Sequence, residues 1–191
     1  MKIEIYTDGA CSGNPGKGGF GTILTFGPHE KEISGGFKLT TNNRMELMAV
    51  IVGLESIKNP EIPITIVSDS KYVVDAINKG WLRGWIMKNF KGVKNPDLWM
   101  RYFRASKDKN ITFKWIKGHN NHPQNERCDE LAVYASGLPN LSVDEFYESM
   151  DNGQLTIDNC SEGLCPNNKI KLTMRTDRNP KREAHLFKSK K

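Results

Sequence analysis

The hydrophobic pattern of this chain changes period near residue 40, and this change restricts the fold more than any other feature. Residues 2–8, KIEIYTD, alternate apolar and polar side chains, and two further runs of β-forming residues follow within 20–39. Beyond residue 41, apolar side chains recur at helical spacing, at Leu47, Val50, Ile51, Leu54 and Ile57. Alternation favours half-buried strands, whereas spacing near 3.6 favours an amphipathic helix. The sequence therefore predicts three strands and then a helix.

The elements after this helix continue to mix the two periods. Residues 64–69, ITIVSD, form a short apolar run that ends in an acid, as expected of a buried central strand. Helices are predicted over 70–78, 98–106 and 125–136, and a last strand over 111–116. The order βββαβααβα predicts an α/β (α+β mixed) fold, with a mixed sheet and helices on its faces.

Composition changes after Pro139, and we predict a domain at 1–137 followed by an extension at 138–191. Residues 142–162 contain six acids and no lysine or arginine, whereas residues 169–191 contain nine basic residues and two acids. Ser142 and Glu145 have the spacing of a capping box for one short helix. The sequence gives no sign of a second hydrophobic core in the extension.

The extension also carries Cys160 and Cys165, with His185 as a third candidate ligand. A structural zinc site requires four ligands, and the sequence offers no fourth. A disulfide between the two cysteines needs an oxidising compartment. The basic end of the chain would add nonspecific affinity for nucleic acid, or it is a solvated tail. The sequence leaves these alternatives open.

Charge and hydropathy favour a chain that acts on an anionic partner. The formal net charge is +6 and the isoelectric point is about 9.1, with a mean hydropathy of -0.57. No run approaches the roughly 18 apolar residues of a membrane span, so we expect no membrane partner. The N-terminus resembles a strand more than a secretory leader. We therefore expect a cytoplasmic protein, and the predicted assembly is a monomer.

Four acids occupy positions that favour a shared metal site. Asp8 and Asp69 end predicted strands, while Glu46 and Asp129 lie near helix starts. Ligands of open α/β sheets gather outside the strand ends. Clustered carboxylates raise one another's pKa, and divalent cations that prefer oxygen ligands relieve this repulsion. The pattern predicts magnesium, with manganese as a substitute, although each acid alone is also typical of a turn or a helix cap.

Five blocks of this sequence resemble, in order, the signatures of type 1 ribonuclease H. They are YTDGACSGNPGKGGFG, TTNNRMELMAVIVGLE, VSDSKYV, VKNPDLW and IKGHNNHPQNERCDELA. The resemblance covers residues 1 to about 137 and implies a five-stranded mixed sheet with helices on both faces. It also implies magnesium-dependent cleavage of the RNA strand of RNA–DNA hybrids, leaving 5′-phosphate and 3′-hydroxyl ends. The acids of that family match Asp8, Glu46, Asp69 and Asp129.

The resemblance assigns a mobile catalytic histidine to His119, in the loop before the last helix. An unperturbed histidine titrates near pH 6.5 and can move a proton at physiological pH. We expect His119 to assist proton transfer or product release without binding metal. His122 is expected to shape the loop or the helix start. A loop histidine without a catalytic role is the alternative.

The resemblance also implies contacts with both strands of a hybrid. Candidates for the RNA strand are Asn14, Asn43 and Gln124, and Thr41 and Asn95 match a pocket for a DNA phosphate, with Arg44 close by. Residues 79–94 carry five basic residues and no acid, interleaved with Trp81 and Trp85. This mixture is typical of a surface that grips a nucleic-acid backbone, although the aromatic rings can instead pack the segment onto the body.

Two other functions fit parts of this pattern. A noncatalytic hybrid-binding module would use the same basic surface, but unneutralised acids repel phosphate. An exonuclease or a Holliday-junction resolvase shares the predicted fold. Exonucleases of this fold typically carry Asp-x-Glu in the first strand, whereas Asp8 is followed by Gly9 and Ala10.

Overall fold

A computed structural model describes residues 1–118, 120, 122–151 and 173–175. The strands are β1 (Ile3–Gly13), β2 (Gly16–Phe26), β3 (His29–Thr40), β4 (Ile64–Ser68), β5 (Ile111–Trp115) and β6 (Thr173–Arg175). The helices are α1 (Asn42–Glu55), α2 (Lys71–Asn78), α3 (Trp81–Met87), α4 (Pro96–Ser106), α5 (Pro123–Ser136) and α6 (Glu145–Asp151). Within residues 1–137 the predicted order is correct except for α3, which is additional. The extension adds α6, the short helix whose capping box the sequence suggested, and β6, which was not predicted.

The sheet is mixed and places the end of β4 beside the middle of β1. Its order is β5-β4-β1-β2-β3-β6. Strands β1, β2 and β3 form an antiparallel meander, while β4 runs parallel to both β1 and β5. Thr7 of β1 pairs with Ser68 of β4. Asp8 follows Thr7 and Asp69 follows Ser68, so the two acids are neighbours where this pairing ends.

The five predicted strands are confirmed, and β6 extends the sheet by one. It pairs antiparallel with Glu32, Ile33 and Ser34 on β3. A strand at the edge of a sheet presents unpaired backbone groups that attract a further strand. Residues 173–175 of the extension pair with β3 in this way.

Helices pack on both faces of the sheet, as predicted. On one face, α1, α2 and α4 form the larger core with sheet residues such as Ile5, Phe20 and Ile66. On the other face, Cys128 and Leu131 of α5 pack against Tyr6, Ile23 and Val67. The alternation of side chains along a strand explains why β1 serves both cores.

Two glycines, Gly9 next to Asp8 on β1 and Gly21 opposite Asp8 on β2, allow helices to approach the sheet closely at this point. A Cβ atom on Gly9 would overlap the backbone nitrogen of Glu46 in α1, and one on Gly21 would overlap the carbonyl oxygen of Cys128 in α5. Only glycine leaves room for such contacts between backbones. The glycines therefore allow α1 to bring Glu46, and α5 to bring Asp129, close to the edge that holds Asp8.

The helix starts differ slightly from the predicted ones. Helix α5 begins at Pro123 and α4 begins at Pro96, since proline is favoured in the first helical turn. Helix α1 begins at Asn42. Glu46 and Asp129 consequently lie in the second turns of their helices and not at the helix starts.

The first part of the extension packs against the domain. Ser142 donates a backbone hydrogen bond to Gly36 and accepts one from Lys38, both at 2.9 Å. Phe146 is 2% exposed and Asp144 is fully buried. These contacts join the first part of the extension to the domain, across the boundary predicted at residue 137.

The cap of α6 also differs from the prediction. The carboxylate of Asp144, and not the hydroxyl of Ser142, accepts the backbone N–H of Tyr147 at 3.4 Å. Aspartate is among the best residues at this position. Cys160, Cys165 and His185 lie outside the described residues.

Candidate active site

Three carboxylates converge where the parallel pairing of β1 with β4 ends. Strand β1 continues to Gly13, because its antiparallel pairing with β2 extends that far, so Asp8 lies within the strand and not at its end as predicted. One oxygen from each of Asp8, Glu46 and Asp69 lies within 4.8 Å of the other two. Asp8 extends from β1, Asp69 follows β4, and Glu46 comes from α1 on one face of the sheet. Asp8 and Glu46 are 7% and 6% exposed. The sheet register and the close approach of α1 together produce this cluster.

Asp129 contributes its charge to the cluster from α5. It is not among the carboxylates that meet within 4.8 Å, but its negative charge raises the pKa of both Asp8 and Glu46. The structure therefore brings three of the four predicted acids together and places the fourth within electrostatic range.

Burial and mutual repulsion make the cluster hold protons more tightly than isolated carboxyls do. Burial, followed by the charge of Asp69, raises the pKa of Asp8 to about 7, against the lowering effect of the Gly9 N–H. That N–H donates to Asp8 Oδ1 at 2.7 Å. Burial and the charges of Asp8 and Asp69 also raise the pKa of Glu46. Both shifts disfavour the ionised cluster unless a cation is bound.

The donor set fits a hard divalent cation. Glu46 Oε2 is buried and makes no hydrogen bond with any described residue. Its Oε1 accepts only a long contact, 3.4 Å, from the Asn42 side chain. Buried polar atoms normally have partners, and carboxylate oxygens are the ligands that magnesium and manganese prefer. The three acids therefore supply both the charge and the free oxygens of a metal site.

Asn125 belongs to the site, although sequence reasoning missed it. It is 3% exposed, and its Nδ2 donates to Asp69 Oδ2 at 3.3 Å. Its Oδ1 is buried without a partner among the described residues. A sequence signal was available, because Asn125 precedes Asp129 by four residues and so shares its helix face.

Replacing Asn125 with alanine should remove the hydrogen bond that orients the carboxylate of Asp69. Loss of a partner that orients a metal ligand typically lowers metal affinity or activity by roughly 10–100-fold. We expect Asn125→Ala to bind a divalent cation more weakly than the wild type does, as measured by calorimetric titration of the chain with magnesium. Glu126→Gln, on the exposed side of the same turn, is the matched control. An unchanged affinity for magnesium in Asn125→Ala would contradict this role.

Trp115 is a second neighbour of the site that the sequence did not reveal. Its indole N–H donates to the backbone carbonyl of Asp69 at 3.0 Å. Lys71 Nζ lies 5.2 Å from the centre of its ring, in cation–π contact. Trp115 thereby fixes the backbone that follows β4, on which Asp69 depends.

The two histidines of the loop have different outcomes. His119 lies outside the described residues, so its catalytic role stays a prediction. His122 directly precedes α5, and its carbonyl accepts the backbone N–H groups of Asn125 and Glu126 at 3.0 Å. Its ring lies 5.3 Å from that of Tyr6. This position agrees with the expected role of His122 in the helix start.

The predicted RNA-strand residues lie in three places. Asn14, in the turn after β1, is exposed, and its Oδ1 accepts the Asn42 backbone N–H at 3.2 Å. Asn43 is exposed in the first turn of α1, and Gln124 is half-buried in the first turn of α5. The first contact ties the glycine-rich turn to the helix that carries Glu46.

Of the residues predicted for the DNA phosphate, Arg44 is placed differently from the prediction. It is 0% exposed, and its guanidinium pairs with Asp97 and Asp144, each at 2.7 Å. The structure therefore contradicts a direct phosphate contact by Arg44. Thr41 caps α1 through its carbonyl, and its hydroxyl makes no capping bond within the described chain. Asn95 is half-buried at the start of α4.

The cations of the basic segment 79–94 are exposed, whereas its two tryptophans differ in exposure. Trp81 is 46% exposed, with Lys79 Nζ 5.3 Å from its ring centre. Trp85 packs edge-on against Trp99 at 5.1 Å. Trp85 thus anchors the segment, whereas Trp81 presents an aromatic surface beside five exposed cations.

A carboxylate metal site at the edge of this mixed sheet, with helices on both faces, defines a metal-dependent nuclease of the ribonuclease H-like class. The family model described as RNase H matches residues 1–136. This match spans most of the chain, and the chain therefore belongs to the RNase H family.

Individual relatives agree with this assignment. A ribonuclease H of Rippkaea orientalis is 52% identical over 153 residues, covering 78% of this chain and 93% of the relative. One of Lachnoclostridium phytofermentans is 54% identical over 159 residues, covering 78% of this chain and all of the relative.

Solved structures show the same fold. LC9-RNase H1, described as a type 1 RNase H with the type 2 active-site motif, has a TM-score of 0.65 and 27% identity, with 83% of each chain covered. LC11-RNase H1, solved in complex with an RNA/DNA hybrid, has a TM-score of 0.51 and 28% identity, covering 70% of this chain and 96% of its own.

Proposed function

We propose that this chain is an endoribonuclease that hydrolyses the RNA strand of RNA–DNA hybrids and leaves 5′-phosphate and 3′-hydroxyl ends. The observation that carries the proposal is the convergence of Asp8, Glu46 and Asp69 within 4.8 Å. Membership of the RNase H family supports the same activity. Further support comes from LC11-RNase H1, whose structure contains an RNA/DNA hybrid.

The cofactor in this proposal is a pair of magnesium ions, for which manganese can substitute. Asp8, Glu46 and Asp69 would hold them together with Asp129. When bound, such ions activate a water and stabilise the leaving oxygen of the phosphodiester. Because burial raises the pKa of Asp8 to about 7, this carboxyl would have to lose its proton near neutral pH in order to hold a metal ion.

Other residues of the site orient the metal-binding carboxylates and the substrate. Asn125 and Trp115 hold Asp69 through its carboxylate and its backbone. Asn14, Asn43 and Gln124 are the proposed contacts of the RNA strand, where a 2′-hydroxyl distinguishes RNA from DNA. Thr41 and Asn95 are the proposed contacts of a DNA phosphate. The exposed cations of segment 79–94, with Trp81, would contact the backbone of the duplex.

A substrate panel tests this function directly. The full chain is incubated with magnesium and end-labelled RNA–DNA hybrid, double-stranded RNA or branched DNA. We expect internal cleavage of the RNA strand of the hybrid only. Hybrid binding without products would indicate a noncatalytic module, and cleavage of the branched DNA alone would indicate a resolvase.

His119→Ala should slow turnover without abolishing it. A general acid or base contributes typically about 10²–10⁴-fold, and a group that assists proton transfer or product release belongs at the lower end of this range. We expect kcat to fall by about 100-fold and its dependence on pH between 6 and 9 to change. His122→Ala is the control within the same loop. Identical pH profiles for His119→Ala and the wild type would argue against a proton role.

We propose a cytoplasmic monomer as the working form. The free thiols of Cys11 and Cys128 are consistent with a reducing compartment. In the described part of the chain, no helix has both the length and the hydropathy required to cross a bilayer. Sedimentation of the full chain measures its oligomeric state.

A further inference from the structure

Arg44 lies at the centre of a buried charge cluster that joins three parts of the fold. Its Nε and Nη2 donate to the two carboxylate oxygens of Asp144, both at 2.7 Å. Its Nη1 and Nη2 donate to Asp97 at 2.9 and 2.7 Å. Thr40 Oγ1 also donates to Asp144, at 2.8 Å. The cluster links the first helix, the start of α4 and the segment that precedes α6.

The cluster extends to Asn95, a residue proposed to contact the DNA phosphate. Arg44 Nη1 donates to Asn95 Oδ1 at 3.4 Å. From the other side, Asn95 Nδ2 donates to the Tyr72 hydroxyl at 3.0 Å. The hydroxyl is itself fixed, because it accepts the indole N–H of Trp99 at 2.9 Å. Both ends of the Asn95 amide are therefore held, and one N–H of its amide group remains to donate to a ligand.

The backbone of Asn95 is also unusual. Its φ of 57° and ψ of 48° lie in the left-handed region, which asparagine visits more readily than most residues but at a cost in energy. Arg44 and Tyr72 fix its side chain from within the fold.

We propose that Arg44 and Asp144 are positioning residues for substrate binding, which orient Asn95 toward the DNA phosphate. This inference rests on the proposed function. Asp144 lies beyond residue 136, where the match to the family model ends. Substrate affinity thus depends on a segment outside that match, and the segment contributes to activity as well as to stability.

The electrostatics of the cluster keep the Arg44 guanidinium charged and paired. Burial disfavours the charge of Arg44, but the carboxylates of Asp97 and Asp144 outweigh it and raise the pKa of the guanidinium. The rings of Phe146 and Tyr147 lie 5.4 and 5.9 Å from Arg44 Cζ. Bidentate guanidinium–carboxylate pairs have a defined geometry. Removing one carboxylate should therefore redirect the whole guanidinium, including Nη1.

Steady-state kinetics on RNA–DNA hybrid test the proposal. One hydrogen bond corresponds to roughly a 3–10-fold change in affinity, so we expect Asp144→Asn to raise KM by about that factor and to change kcat by less than about twofold. The control is Glu145→Gln, which also removes one negative charge but does so at an exposed residue next to Asp144. It should leave both constants unchanged. Tyr72→Phe removes the hydroxyl that accepts a hydrogen bond from Asn95, and it should raise KM by a similar factor. This variant keeps the proposal testable if Asp144→Asn does not fold.

A double-mutant comparison distinguishes positioning from a general loss of structure. If Asp144 acts through Asn95, Asp144→Asn should raise KM by less than about twofold in an Asn95→Ala background. An equal rise with and without Asn95, a loss confined to kcat, or an unchanged KM in both Asp144→Asn and Tyr72→Phe would overturn the proposal. Failure of the wild-type chain to cleave hybrid would instead refute the proposed function, before any variant is compared.

Discussion

Asp69→Asn is expected to lower kcat for hybrid cleavage by roughly 10³-fold or more, while the fold survives. Asparagine keeps the shape of the side chain but removes one negative charge from a cluster whose function is to hold cations. Metal-ion catalysis contributes several kcal/mol to lowering a barrier, and each 1.36 kcal/mol corresponds to a factor of ten in rate. The measurement is single-turnover cleavage of labelled hybrid at saturating magnesium, with circular dichroism to verify folding.

The matched control for this variant is Asp75→Asn. Asp75 lies in α2, where its carboxylate pairs with Lys79 at 2.8 Å on the surface. Exposed pairs of this kind stabilise a protein by about 0.3–0.5 kcal/mol, so Asp75→Asn should cleave hybrid at the wild-type rate. Full activity in a folded Asp69→Asn chain would remove Asp69 from the metal site and, with it, the proposed mechanism.

The architecture and the main site were predictable because both follow from local patterns. The change of period near residue 40 predicted the meander and α1, and the apolar run ITIVSD predicted β4 with an acid at its end. Once β1 and β4 are parallel neighbours, Asp8 and Asp69 have to meet at one edge. Glu46 was harder to place, because its approach depends on Gly9 leaving room for α1.

Arg44 was misplaced because its partners are distant in sequence. An arginine beside Thr41 and Asn43 is expected at the surface, since arginine is rarely buried unless it is paired. The partners that allow burial, Asp97 and Asp144, lie 53 and 100 residues away. No local pattern connects these positions.

The packing of residues 138–151 was not predicted for the same reason, because their partners are also distant in sequence. Residues 138–151 contain too few apolar side chains to predict a core, but a core already existed. Phe146 is buried and Asp144 pairs with Arg44, so this segment completes the domain by adding to it. Asn125 was missed for a different reason, because an asparagine near a helix start is typical of capping.

Asp8→Asn should stabilise the metal-free protein at neutral and higher pH while abolishing activity. The unfolded carboxyl ionises near its ordinary pKa of 3.8, whereas the pKa in the folded chain is about 7, chiefly through burial and then through the charge of Asp69. Between these values the folded state holds a proton that the unfolded state has released. Wild-type stability therefore falls as pH rises from about 4 to about 7 and then levels off.

One pKa unit corresponds to about 1.4 kcal/mol, so we expect Asp8→Asn to increase the free energy of unfolding by about 2–4 kcal/mol at pH 8. At pH 4 or below, the two proteins should be nearly equal. Urea unfolding in chelator across this pH range measures the difference, with Asp75→Asn as the control that should follow the wild type. Magnesium should restore stability to the wild type, because it binds the folded state, and should do so less in Asp8→Asn. A wild-type stability that rises between pH 4 and 7 would contradict the buried, mutually repelling cluster on which the metal site depends.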